Sequence, residues 1–411
     1  MEKVRVSEDS QIRELLDWAI ADKKVINVTG GGTKLELGRP TEVDAELSMS
    51  DLNGVLLYEP AELVMKAKAG TRLVEIQKTL KDAGQQMAFC PPDLGPLMGK
   101  DAGLTTLGGI FACNLSGSER IKNGAARDHL LGVEGFTGRA EPFHTGSRVM
   151  KNVTGYDLCK LIAGSHGTLA VATEFTFKVL PKGEKTRTVV VFGESPEQAV
   201  KTMNRAMSSI HEVVATAYLP ADIAKRTDID LISEPEKSVT VMKVEGAAPS
   251  AEFRCKALKD MFKDCGDIEE LHGMRSEKLW DFTGNVGAFV ADQSRIVWKI
   301  STPPAEAASY IASLSESLSG LEYYLDWAGG LIWISLPAAT ENAGEESVRG
   351  KLENGHATLI RADASVRSAI SPFHPQDKIK MMISEKIRDG FDPSCILNPE
   401  RMYALPEGAK S

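Results

Sequence analysis

The stretch Lys151 to Pro181, KNVTGYDLCKLIAGSHGTLAVATEFTFKVLP, constrains the chain most. Tyr156, Leu158, Leu161 and Ile162 follow a helical spacing, and Gly164 breaks it. A Gly-Ser-x-Gly-Thr turn comes next, then a run in which Val171, Thr173, Phe175, Phe177 and Val179 alternate with smaller or polar residues. A helix, a glycine turn and a strand in succession bring backbone N–H groups and a hydroxyl against a flat or anionic ligand. Gly164 and Gly167 lack the Cβ atoms that would block close approach. An ordinary helix–turn–strand junction has the same pattern, so the stretch needs support from elsewhere in the chain.

Two further glycine-rich stretches supply it. A strand at 25–28 runs into Thr29-Gly30-Gly31-Gly32-Thr33-Lys34. Three contiguous glycines let successive N–H groups converge on one concavity, a nest for phosphate oxygens. A nicotinamide-binding βαβ loop is excluded, because it needs G-x-G-x-x-G opening a helix. Here Leu35-Glu36-Leu37-Gly38-Arg39-Pro40 follows, too punctuated for one. The second stretch, Gly103 to Gly117 (GLTTLGGIFACNLSG), combines small residues, hydroxyls and an Asn. It suits the lining of a large flat ligand or close helix packing.

Around them the spacing predicts a helix over 9–22, a strand over 62–69 and a helix capped by Thr71. Pro91-Pro92-Asp93 reads as a rigid wall of a site. A polar linker at 182–185 ends the glycine loops. Alternating strands and helices then fill 186–385, as in an α+β domain on an antiparallel sheet. A last amphipathic helix, about 375–389, is expected to stop at Gly390.

The chain has 411 residues, 42% of them hydrophobic, and a formal net charge of −9 without a basic block. That balance argues against nucleic acid or anionic lipid as the main partner. The six cysteines are scattered and none forms C-x-x-C, so the chain does not hold its own iron–sulfur cluster. They fit a reducing compartment, and a charged, amphipathic N-terminus argues against a signal peptide. No apolar run reaches about 18 residues, so no bilayer-spanning segment is expected; the expected location is the cytoplasm, with peripheral attachment to the inner membrane through a partner left open.

Taken together, TGGGTK, GLTTLGGIFACNLSG, the K-N-V-x-G-Y-D run and the ending Cys395 to Tyr403 (CILNPERMY) resemble the FAD-linked oxidases with a vanillyl-alcohol-oxidase (PCMH)-type FAD domain. Within them the chain is most similar to the FAD-binding subunits of bacterial glycolate oxidase. The resemblance implies a two-subdomain FAD domain over 1–183, an α+β cap or substrate-side domain over 184–385, and a segment 386–411 packing back on the first. It implies that Thr29, Gly30, Gly31, Gly32, Thr33 and Lys34 wrap the FAD pyrophosphate. Thr106, Gly108, Gly109, Asn114 and Ser116 would line the ribityl and isoalloxazine region. Gly167, Thr168 and Val171 would meet the other side of the cofactor, and Pro92, Asp93 and Asn398 would complete the site. Thr33 and Lys34 stand where covalent members often carry His, implying non-covalent FAD. His166 is expected at the solvent side.

For oxidation of a 2-hydroxy acid the second domain offers His356, Arg361, His374, Lys299 and Arg295, with His356 and Arg361 the catalytic candidates. A Gly-His pair followed seven residues later by His binds metal in related dehydrogenases. Here that later position is Asp363, so no metal is expected. The implied function is the FAD-binding subunit of a glycolate oxidase, beside a larger flavoprotein subunit and an iron–sulfur subunit. The alternatives are a self-sufficient dehydrogenase of D-lactate or another D-2-hydroxy acid, and a non-catalytic flavin relay.

Overall fold

A computed structural model describes residues 2–147 and 156–404, so the K-N-V-x-G segment of the Lys151 stretch lies outside the described residues. The chain divides into two compact units. One comprises residues 1–115, 125–181 and 371–411, and the other 116–124 and 182–370.

The first unit holds two principal sheets. In the smaller, Ala45–Ser48 lies between Glu2–Arg5 and Ile26–Thr29, all parallel. Parallel strands are buried on both faces, and all four residues of Ala45–Ser48 are buried. The predicted first helix is present as Asp9–Ala21 and packs through Ile12, Leu16 and Ala19. The larger sheet is antiparallel, in the order Val55–Glu59, Val64–Lys68, Ala170–Lys178, Leu130–Thr137, Pro142–Gly146. Phe175 and Phe177, on its long central strand, stack and tilt against Phe111 at centroid distances of 5.0 and 5.8 Å.

The second unit is one eight-stranded antiparallel sheet. Its alternation is of period two. Val189 and Val191 with Met242 and Val244 meet Ala251, Cys255, Leu258 and Phe262 of the helix Ala248–Phe262. Ile296, Trp298, Ile300, Ile332 and Ile334 meet Met203 of Pro196–Met207 and Ile311 and Leu314 of Ala307–Ser317. The stretch 116–124 is pinned in this unit by buried polar contacts. Ser118 Oγ donates to Asp326 at 2.7 Å, Lys243 pairs with Glu119, and the Trp327 indole donates to the Gly117 carbonyl at 2.9 Å.

Several boundaries differ from the sequence expectation. Thr71 does not cap its helix, which starts at Leu73 after Arg72. Its hydroxyl instead donates to the Lys68 carbonyl (2.7 Å) and accepts from Gly54 N–H (2.9 Å), closing the turn before the helix. The last helix, Lys378–Phe391, runs through Gly390, whose added Cβ would meet nothing, so no tight turn is formed there. The stretch 103–117 is not an open loop. It contains a short helix, Leu107–Ala112, capped by the Thr106 hydroxyl.

Candidate flavin-nucleotide site

In the first unit the glycine stretches meet in one open-mouthed cleft. The first wall is Val28 to Leu35. Thr106, Gly108, Gly109, Ala112 and Cys113 form the second, and Ser165, His166 and Gly167 the third, with Met49, Ile162 and Phe175 supplying apolar surface.

The close approach depends on missing side chains. A Cβ at Gly30 would overlap the Thr106 hydroxyl, and one at Gly31 would overlap the Leu104 carbonyl. At Gly109 a Cβ would lie 2.9 Å from Lys34 Cε, and at Gly167, where φ is +73°, 2.6 Å from Asn398 Nδ2. These glycines are therefore needed first for loop-on-loop packing. Among the described residues the backbone N–H groups of Gly30, Gly31, Gly32 and Thr33 have no hydrogen-bond partner in the protein. Four adjacent donors without acceptors, at the wall of a cleft, are the arrangement that binds a phosphate.

Asn398 ties the walls from behind. Its side chain accepts from Val28 N–H (2.9 Å) and donates to the carbonyls of His166 (3.0 Å) and Gly167 (3.2 Å). The backbone of the tail extends the parallel sheet, with Ile26 N–H donating to Ile396 and Asn398 N–H to Ile26. Asp93 has a similar role. Its carboxylate accepts from Gly95 N–H, Gly103 N–H and the Thr105 hydroxyl at 3.1, 2.6 and 2.6 Å.

Of the residues picked from sequence, Thr29 to Lys34, Thr106, Gly108, Gly109 and Gly167 line the cleft. Pro92, Asp93, Asn114, Thr168, Val171 and Asn398 do not. Asn114 accepts from Arg127 N–H, and the Thr168 hydroxyl closes its own turn on the Ser165 carbonyl. Ser116 falls in the second unit. Sequence reasoning missed Cys113, Met49 and Arg401, and it placed His166 at the solvent side. His166 is half-buried at the cleft, its ring 4.8 Å from that of Phe373 and its Nδ1 3.5 Å from Cys113 Sγ. Its φ of +53°, a left-handed value in a non-glycine residue, was not readable from the G-S-x-G-T pattern.

In the second unit His356 and Arg361 occupy opposite ends of the strand His356–Arg361 and do not form one group. His356 is exposed. Arg361 is buried, donating to the carbonyls of Arg295 (2.9 Å) and Asp292 (2.7 Å), and burial pushes its guanidinium down to about 10. His374, expected with them, belongs to the first unit. The charged group that stands out is Asp326. It is fully buried and accepts from Ser118 Oγ and from Trp327 N–H, both at 2.7 Å. Burial raises its carboxyl to about 7, against the pull of those two hydrogen bonds and of Lys299. Trp327 beside it, at φ +51°, lies under Arg120 at 4.4 Å and Lys299 at 5.2 Å.

A parallel-sheet lobe and an antiparallel-sheet lobe that share a glycine-walled cleft with unpaired amides define a nucleotide-binding flavoprotein fold. Comparison with known proteins agrees. Residues 3–146 match the FAD binding domain family. Over 391 residues the chain is 30% identical to glycolate oxidase subunit GlcE of Escherichia coli, covering 95% of this chain and 96% of that one. It is 22% identical to glycolate oxidase subunit GlcD of Bacillus subtilis, covering 91% and 83%. Among solved structures, p-cresol methylhydroxylase superposes with a TM-score of 0.73 at 13% identity, covering 98% of this chain and 88% of that one. Alkyldihydroxyacetonephosphate synthase gives 0.67 at 16%, covering 97% and 76%. The chain belongs to the family of glycolate oxidase FAD-binding subunits, and it is an FAD-linked oxidoreductase. Among the described residues no helix is long and apolar enough to cross a membrane.

Proposed function

We propose that the chain is the FAD-binding subunit of a complex that oxidises glycolate, or a close 2-hydroxy acid, to the 2-oxo acid. The observation that carries the reading is the cleft itself. Its unpaired Gly30 to Thr33 amides and its side-chain-free positions fit FAD, in a chain similar along its whole length to a glycolate oxidase subunit. Bound FAD supplies the acceptor for the two electrons and one hydrogen taken from the substrate carbon.

The protein's own contribution is to bind, orient and exclude water. The first glycine loop holds the phosphates non-covalently by backbone donors. Met49, Ile162 and Phe175 give the cleft apolar surface. Electrons leave through a larger flavin subunit and an iron–sulfur subunit, because the scattered thiols of this chain offer no cluster site. The complex assembles in the cytoplasm and reaches the inner membrane only through its partners. The acid–base groups for the 2-hydroxy acid lie in the second unit or in the partner.

Purification of the chain alone and with its partner subunits tests this. The account expects a flavin spectrum from the chain alone and full bleaching by glycolate only in the complex. Bleaching by glycolate, or by D-lactate, of the chain alone would replace the complex with a self-sufficient dehydrogenase. No bleaching in any combination would leave flavin binding without this chemistry.

A further inference from the structure

Lys34 is 8% exposed, yet it is among the residues that line the cleft. Its ammonium donates to the Thr33 hydroxyl at 2.7 Å and the Thr105 hydroxyl at 3.5 Å. Among the described residues no carboxylate lies within 4.0 Å of it. The nearest acid is Asp93, one hydroxyl away, and three donors already occupy that carboxylate. The other charged or titratable groups around Lys34 are the Cys113 thiol and the Arg401 guanidinium, and Arg401 donates to the Lys34 carbonyl. Burial, with Arg401 adding a like charge, holds the ammonium below its ordinary value, while Cys113 and Asp93 act the other way. A buried cation that only hydroxyls solvate is costly unless an anion completes its shell. Its Nζ lies beside the Gly109 backbone, 3.3 Å from where a Cβ would stand. That point adjoins Thr106 Oγ1, against which Gly30 is packed, and Lys34 lines the same cleft as the residues that carry the unpaired amides of the first loop.

We propose that the Lys34 ammonium is the built-in counter-charge for the phosphate end of the flavin nucleotide, and that loading the cleft is coupled to proton uptake by this side chain. The inference rests on the cleft being the FAD site. Without an anion beside it, the buried Lys34 ammonium gives up its proton more readily than a solvated lysine does. The phosphate anion restores the full charge, so one proton is drawn from solvent as FAD binds. The loop thus uses two kinds of recognition: neutral amides for geometry and one buried cation for charge.

The test is FAD titration of the apoprotein, for wild type, K34M and K34R, in pairs of buffers of different ionisation enthalpy across the alkaline range. Riboflavin, which has the ring but no phosphate, is the control ligand. The expected result is proton uptake by wild type with FAD, none with riboflavin, and none by K34M with FAD. FAD affinity should fall at least about tenfold in K34M, stay within a few-fold in K34R, and riboflavin affinity should be alike in all three. Wild-type FAD affinity and wild-type proton uptake in K34M would overturn the proposal. So would an equal loss of FAD and riboflavin binding, which would make Lys34 a packing or ring contact. K34Q replaces K34M in the comparison if the methionine variant does not fold. A wild type that binds no FAD at all would instead overturn the flavin reading beneath it.

Discussion

At the scale of single residues, the first glycine loop and Asp326 make the sharpest statements. G31V introduces a Cβ where the Leu104 carbonyl stands, so the loop must move off the second wall. The variant should purify without flavin, read as the ratio of flavin absorbance to protein; a wild-type ratio would show that the loop does not carry the phosphates. Asp326 makes a statement about pH. Its folded carboxyl titrates near 7 against an ordinary 3.8, so between those limits the folded chain keeps a proton that the unfolded chain has lost. The contribution of Asp326 to stability must therefore fall as pH rises from about 4 to about 7 and level off above, by at most on the order of 4 kcal/mol. D326N, which keeps the shape without the charge, should flatten that slope in denaturant unfolding; an unchanged slope would assign it to other groups. The glycines were legible in the sequence because absence of a side chain is a property of the residue. Asp326 was not, because its hydrogen-bond partner Ser118 lies 208 positions away.

Elements were legible where a period was strong. The helix Asp9–Ala21 lies within a residue or so of the expected range. Short strands such as Glu2–Arg5, Ala45–Ser48 and Pro142–Gly146 were missed, since four or five residues carry too few turns of any pattern. The Lys378–Phe391 helix was placed, but Gly390 misled the reading of its end, a glycine being no stop signal without a left-handed turn to fill. The tail Cys395–Tyr403 was legible only as a resemblance. Its physical work is done by Asn398, which bridges the first and third walls of the cleft. N398A should cost about 2 kcal/mol in chemical unfolding, because it leaves Val28 N–H and the two carbonyls without their partner, and should lower flavin retention with it. Loss of neither would mean that the walls hold together without the tail.

For the whole molecule, the sequence boundary near 183 missed that residues 116–124 belong to the second unit. No local signal marks the excursion; it is held by long-range pairs, Ser118 with Asp326 and Glu119 with Lys243. A fragment of residues 182–370 would leave Lys243 without one of its buried partners, a loss of about 3–5 kcal/mol. It should not give a cooperative unfolding transition, whereas one that does would show the excursion to be dispensable. The central claim is that glycine turns far apart in the chain close one cleft around one flavin nucleotide. Equilibrium titration of the apoprotein with FAD, followed by flavin fluorescence and by thermal unfolding, tests it most directly. The account predicts saturation at one FAD per chain and, at a hundredfold excess over Kd, stabilisation of about 2.7 kcal/mol that G31V abolishes. No saturable binding, or equal binding by G31V, would contradict it.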